Sequence, residues 1–181
     1  MTATLPNALT AARLLAVPIL VWLVLLDDGA DGRWRWWALG VFLVAAATDY
    51  FDGFFARRWH VVSAFGKLAD PIADKALVLS SLTALWLVAE VPLWPIMILA
   101  VREVAITAGR LAVADKTVLP AGKGGKLKTT LQVSAITFYL VPPPPAWLDT
   151  VAWYMLLAAV AVAIISGVRY WSAIMRARRR A

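Results

Sequence analysis

The stretch Asp49–Asp74, DYFDGFFARRWHVVSAFGKLADPIAD, places four carboxylates inside a strongly apolar chain. Its pattern is D-x2-D-G-x2-A-R-x8-G-x3-D-x3-D, formed by Asp49, Asp52, Gly53, Ala56, Arg57, Gly66, Asp70 and Asp74. Asp49 and Asp52 are three residues apart and share one face of a helix, with Gly53 and Ala56 beside them. Asp70 and Asp74, at i and i+4, share a face of the next helix. The interval from Arg57 to Gly66 lets the two helices turn back on each other, so the four carboxylates can converge. Each one buried alone in a membrane helix costs about 2.5–3.5 kcal/mol on insertion scales. Four together also repel, and bound cations remedy both problems. Oxygen donors select hard ions, Mg²⁺ or Mn²⁺. Four negative charges balance two divalent ions, the arrangement that clamps the attacking and leaving oxygens of a phosphoryl displacement.

The rest of the chain says where this chemistry happens. Of the 181 residues 62% are apolar, and the mean hydropathy is +0.74. So few polar side chains cannot cover a soluble domain, and an all-α integral membrane protein is expected. The ten Trp residues suit a membrane interface. The absence of cysteine excludes disulfides, thiolate metal sites and cysteine nucleophiles. The net charge of +7 lies at the ends of apolar segments, which argues for an anionic membrane surface and against nucleic acid.

In chain order, MTATLPNALTAARLL lacks a basic n-region and a small-residue cleavage site, so no removable signal peptide is expected. Asn7, Thr10 and Arg13 fall broadly on one helix face; by spacing alone they read as a capped helix start with a basic flank. The first span continues from Leu14 to Leu26 through Pro18, which a membrane helix tolerates. Asp27, Asp28, Gly29 and Asp31 form a polar turn, and Trp34, Trp36 and Trp37 an interfacial, lipid-facing anchor. A second span covers Trp37 to Arg57, Trp59–Lys67 is a loop, and a third span runs from near Asp70 to Val88. After a turn at Glu90 and Pro92, a fourth span reaches from Leu93 to about Ala114. Asp115–Lys128 reads as a basic, glycine-rich surface loop. The fifth span covers Thr129–Val141 with the helix start before it. Pro142–Pro145 is a turn or short extended linker, Leu148–Trp171 the sixth span, and Arg176–Arg180 a basic tail. Of the 18 Lys and Arg residues, all but Arg33 and Arg35 gather on one side of this six-span topology. The termini, the motif loop and the Asp115–Lys128 loop are therefore expected on the cytoplasmic face of the cell (inner) membrane. The whole chain, 1–181, reads as a single transmembrane domain.

Gly53 and Ala56 remove side-chain bulk on the carboxylate face, and Arg57 offers a fork for phosphate oxygens. Singly, each has a plainer explanation in helix packing or as a span flank; eight specified positions in register do not. The stretch resembles the signature of the CDP-alcohol phosphotransferases, membrane enzymes that displace CMP from a CDP-linked alcohol or lipid. That resemblance implies six transmembrane helices, commonly in a homodimer, and two divalent cations. By position it implies Asp49, Asp52, Asp70 and Asp74 as metal ligands, with Asp74 also the general base. It places Gly53, Ala56 and Arg57 around the CDP group, with Asn7, Thr10, Arg13 and Gly66 joining them.

Three further stretches resemble the branch of that family that makes phosphatidylglycerophosphate: N-A-L-T-A-A-R at Asn7–Arg13, R-E-x6-R at Arg102, Glu103 and Arg110, and G-K-L-K-T-x2-Q at Gly125–Gln132. Gly109, Gly124–Gly125 and Arg169 depart from its pattern. Arg102 and Glu103 lie within a span, where they face a polar cavity or pair with each other. Arg102, Arg110, Lys123, Lys126 and Lys128 together make a cationic pocket suited to a phosphorylated polyol, although a topology signal accounts equally for Lys123. Lys75 either snorkels or balances the carboxylates, and His60 is a loop residue. The resemblance thus implies CDP-diacylglycerol as donor, sn-glycerol 3-phosphate as acceptor and membrane lipids as surroundings. A sister enzyme acting on inositol phosphate or phosphatidylglycerol is the first alternative, and a divalent-cation transporter, which leaves the Gly-Ala-Arg spacing unexplained, a remote one.

Overall fold

A computed structural model describes residues 4–30, 32–59, 64–111 and 123–179. Among them the chain is helical, with no strand: α1 (Thr4–Asp27), α2 (Arg33–Trp59), α3 (Ala64–Leu87), α4 (Leu93–Leu111), α5 (Lys123–Tyr139) and α6 (Ala146–Arg179). A helix satisfies its own backbone, the condition for a segment surrounded by hydrocarbon. Among the described residues, two stretches are long and apolar enough to cross a membrane, Thr10–Asp27 and Trp147–Arg176. Large apolar side chains such as Leu15, Val44, Val104 and Val168 lie more than half exposed. Exposure on that scale suits lipid better than water.

The chain divides into two compact units. The first comprises Met1–Val91 with Ile136–Asp149, the second Pro92–Ala135 with Thr150–Ala181. In the first, α1 packs against both α2 and α3, around Leu20, Val24, Phe42, Leu82 and Leu85. In the second, Leu99, Ile106, Leu156, Ala159 and Ala163 are buried, and Trp94 meets Trp153 edge to face at 5.9 Å.

The α1–α2 turn is built by Asp27. Its Oδ1 accepts the N–H groups of Gly32 at 3.0 Å and Arg35 at 3.2 Å, satisfying donors at the start of α2. Asp28 and Gly29 adopt φ of 49° and 72° to bring the chain round. The fully buried Arg35 guanidinium lies 3.5 Å from Asp27 Oδ2 and also binds Glu90. Arg35, expected only as a flanking charge, thus ties the end of α1 and the start of α2 to the turn after α3. That turn closes α3 with two bonds, Glu90 N–H to Leu85 O at 3.0 Å and Ala89 N–H to Trp86 O at 2.9 Å. With Ala89 at φ 61° this is a Schellman ending. Trp36 and Trp37 are exposed as expected of an interfacial anchor, while Trp34 carries the Arg33 guanidinium over its ring at 4.7 Å.

Three boundaries differ from the sequence reading. The loop expected over Trp59–Lys67 is shorter, since α3 starts at Ala64 and takes in Gly66 and Lys67; Ala, Lys and Leu are good helix formers that an apolar-run criterion overlooks. The loop expected up to Lys128 ends earlier, because α5 starts at Lys123. There a Cβ on Gly124 would lie 2.8 Å from Ser166 Cβ, so glycine permits the helices to approach. The basic tail is not separate: α6 continues to Arg179. Pro142–Pro145 is the expected break, with Leu148 N–H bonding Pro145 O at 2.7 Å where α6 starts.

Candidate functional site

The motif divides between two helices. Asp49, Asp52, Gly53, Ala56 and Arg57 lie on α2, and Gly66, Asp70 and Asp74 on α3. Both helices run unbroken through their aspartate pairs, so each pair keeps the i,i+3 or i,i+4 register that puts two carboxylates on one face. The side chains of all eight lie outside the described residues, as do those of Asn7, Arg110 and Lys123, and residue His60. The donor set itself, four carboxylates in two helical pairs, fits hard divalent cations.

Beside the first pair, the described residues form a small polar knot. Thr10 and Arg13 of α1 are each only 1% exposed. Arg13 Nε donates to the Ala45 carbonyl at 3.4 Å. The same oxygen accepts from Thr48 Oγ1 at 2.7 Å. Ala45 lies one turn before Asp49, so α1 delivers a buried cation against the helix turn that leads into the motif. A guanidinium held this far from water needs hydrogen-bond acceptors around it.

A second polar cluster stands in the other unit, on α4, α5 and α6. Glu103 Oε1 accepts from Arg102 Nη1 at 2.9 Å and from Lys128 Nζ. Arg102 Nη2 donates to Ser166 Oγ at 3.3 Å. Gly167 of α6 lies against it, where a Cβ would stand 3.4 Å from Arg102 Cγ, an ordinary contact. Arg102 Nε is buried and has no acceptor among the described residues. Two cations share one carboxylate, leaving a net positive charge among these three residues in a sparsely hydrated place. Such a cluster can receive a small anion, which supplies the acceptors that Glu103 cannot.

The structure thus brings Arg102 and Lys128 together, through Glu103, but not Lys126. Two residues apart on α5, Lys126 and Lys128 occupy different faces; Lys126 is exposed and Lys128 buried. Sequence reasoning missed Ser166, whose hydroxyl receives Arg102. Its only sequence signal was polarity within an apolar helix. It also left Gly109 unexplained. A Cβ there would stand 2.6 Å from Ile174 Cδ1 and 3.2 Å from Trp171, so α4 and α6 touch at that glycine. Arg169 lies exposed on α6 and joins neither cluster.

The sequence model of the CDP-alcohol phosphatidyltransferase family matches residues 3–165. A probable phosphatidylglycerophosphate synthase of Mycobacterium tuberculosis (strain H37Rv) is 37% identical over 174 residues, covering 96% of this chain and 83% of its own. A CDP-diacylglycerol–glycerol-3-phosphate 3-phosphatidyltransferase of Bacillus subtilis (strain 168) is 33% identical over 184 residues, covering 93% of each. A CMP-forming cardiolipin synthase of Streptomyces coelicolor is 41% identical over 100 residues, which cover 55% of this chain and 46% of its own.

Proposed function

The chain belongs to the CDP-alcohol phosphatidyltransferase family and is a phosphotransferase, and from that premise we propose that it transfers a phosphatidyl group from CDP-diacylglycerol to sn-glycerol 3-phosphate. The products are phosphatidylglycerophosphate and CMP. The observation that carries this reading is the near full-length likeness to relatives named for that reaction. The half-buried Arg102 and the buried Lys128 support a phosphorylated acceptor.

In this reading α1–α6 are six spans of one membrane domain working as a homodimer, with the termini and active site on the cytoplasmic face. The donor's acyl chains stay in the bilayer while its CDP group enters between the motif residues of α2 and α3. Asp49, Asp52, Asp70 and Asp74 hold two divalent cations, Mg²⁺ or Mn²⁺. When bound, such ions polarise the phosphate that stays with the lipid and lower the charge on departing CMP. Arg57 meets the diphosphate, Gly53, Ala56 and Gly66 leave room for the nucleotide, and Asn7, Thr10 and Arg13 border it from α1. Arg102 and Lys128, with Arg110 and Lys123, hold the acceptor's phosphate. The glycerol hydroxyl attacks the lipid-bearing phosphorus as Asp74 accepts its proton. The new P–O bond forms as the pyrophosphate bond breaks, and CMP leaves with the freed electron pair.

A phosphatidylglycerol acceptor is the second reading, favoured by the likeness to the cardiolipin synthase over part of the chain. Measuring CMP release by purified protein separates the two. The expected outcome is release with CDP-diacylglycerol, Mg²⁺ and glycerol 3-phosphate, abolished by EDTA and restored by added Mg²⁺. Release with phosphatidylglycerol or inositol phosphate alone overturns the acceptor assignment while keeping the chemistry.

A further inference from the structure

Resting on the acceptor reading above, we infer that Glu103 loosens the grip of the cation cluster on α4, α5 and α6 on a phosphomonoester, so that the product can leave. The reaction itself sets this requirement. Glycerol 3-phosphate attacks through a hydroxyl, and its phosphate passes unchanged into the product. The cations that hold the acceptor therefore hold the product in the same way. Binding that is equal before and during the chemical step does not speed that step. A product held as firmly as two buried cations allow would slow turnover.

The cluster carries a counter-charge placed to set such a limit. Glu103 Oε1 accepts from Arg102 Nη1 at 2.9 Å and from Lys128 Nζ, and each of the three side chains is at most 15% exposed. Arg102 has a second tether. Its Nη2 donates to Ser166 Oγ at 3.3 Å, and that hydroxyl is fixed in turn by donating to the Ala163 carbonyl at 3.3 Å. Arg102 Nε, buried and without an acceptor among the described residues, leaves a donor for an incoming oxygen. A phosphate bound at Arg102 stands close to the Glu103 carboxylate and is repelled by it. Where little water screens the charges, that repulsion is strong. Removing the carboxylate would leave both cations unopposed, and Glu103→Gln does so while keeping the shape and an oxygen acceptor.

The test titrates inorganic phosphate into the purified full-length protein and follows the phosphorus NMR line, a readout that needs no turnover. Glu103→Gln is expected to lower the Kd for phosphate at least about tenfold, and Glu103→Asp, which keeps the charge, to stay within about threefold of wild type. With CDP-diacylglycerol as donor, Glu103→Gln should lower both KM for glycerol 3-phosphate and kcat, the pattern of tighter binding and slower release. A carboxylate that only braces the helices would lower the thermal midpoint without tightening either constant. An unchanged or raised Kd in Glu103→Gln therefore overturns the inference, as does a wild type that binds no phosphate. Because Glu103→Gln leaves two cations side by side, Glu103→Gln/Lys128→Met is measured beside Lys128→Met. The double variant loses one charge of each sign and should bind phosphate about tenfold more tightly than Lys128→Met alone. Binding no tighter than that of Lys128→Met overturns the inference even where the single Gln variant does not fold. No CMP release from the wild type with glycerol 3-phosphate would overturn the acceptor reading, whereas the phosphate titrations would still decide what Glu103 does.

Discussion

Asp74 and Lys128 are the residues on which the proposed reaction makes its sharpest demands. Asp74→Asn removes a base while keeping an oxygen donor on α3. General-base catalysis contributes about 10²–10⁴-fold, so CMP release should fall within that range while bound metal, measured by atomic emission, stays near wild type. Full activity with normal metal content would transfer the proton to another group. Lys128 is bound to Glu103, and Glu103 also receives Arg102 at 2.9 Å. A charge-assisted hydrogen bond contributes about 1.5–3 kcal/mol, so Lys128→Met should raise KM for glycerol 3-phosphate by roughly 10- to 100-fold. Lys128→Arg should recover part of that loss, and KM for the lipid donor should not change. If the pair is only structural, Lys128→Met lowers the thermal midpoint and leaves KM alone. Pairs of this kind link α4 to α5 across 25 residues of sequence, and Arg102 to Ser166 across 64. Nothing local in the chain announces such partners; the sequence shows only that charges inside a span need company.

At the scale of the element, two glycine-type positions carry opposite expectations. Ala89 holds the left-handed conformation at the end of α3, φ 61°, where glycine is the usual occupant. Ala89→Gly should raise stability by about 0.5–1 kcal/mol, read as a higher thermal midpoint of the purified protein. Gly124 is the reverse case. A methyl there would sit 2.8 Å from Ser166 Cβ, and Gly124→Ala should destabilise by about 1–3 kcal/mol through overpacking. Equal midpoints for both variants would mean that neither constraint operates in the membrane. The helices themselves were readable from long apolar runs broken at Asp28–Gly29, Pro92 and Pro142. Their ends were less so. Propensity carries a helix past the last apolar residue, as α3 shows at Ala64–Asp70 and α6 at Arg176–Arg179.

For the whole molecule, the distribution of basic residues makes a topological prediction. With both termini and the Asp115–Lys128 stretch inside, Ala30→Cys should react with an impermeant maleimide added to intact cells, whereas Lys116→Cys and Ala181→Cys should react only after lysis. The chain contains no cysteine, so each variant carries a single label site. Reaction of Lys116→Cys from outside would break the six-span count. The ion cluster of Asp27, Arg35 and Glu90 sits at the helix ends on the Ala30 side, one helix length from the motif aspartates. There it fastens α1 to α2 and α3, the two helices that carry the motif, at the end where no chemistry is proposed.

By itself the sequence determined the helical class, the membrane setting and the identity of the motif. All three rest on patterns written in neighbouring residues: apolar runs, flanking charges, and eight specified positions within Asp49–Asp74. Tertiary structure alone decided which charges pair, that Lys128 is buried while Lys126 is exposed, and why Gly109 and Gly124 are glycines. Those outcomes depend on how close two helices come and which faces they turn to each other. That is a property of packed surfaces, and residues far apart in the chain supply it.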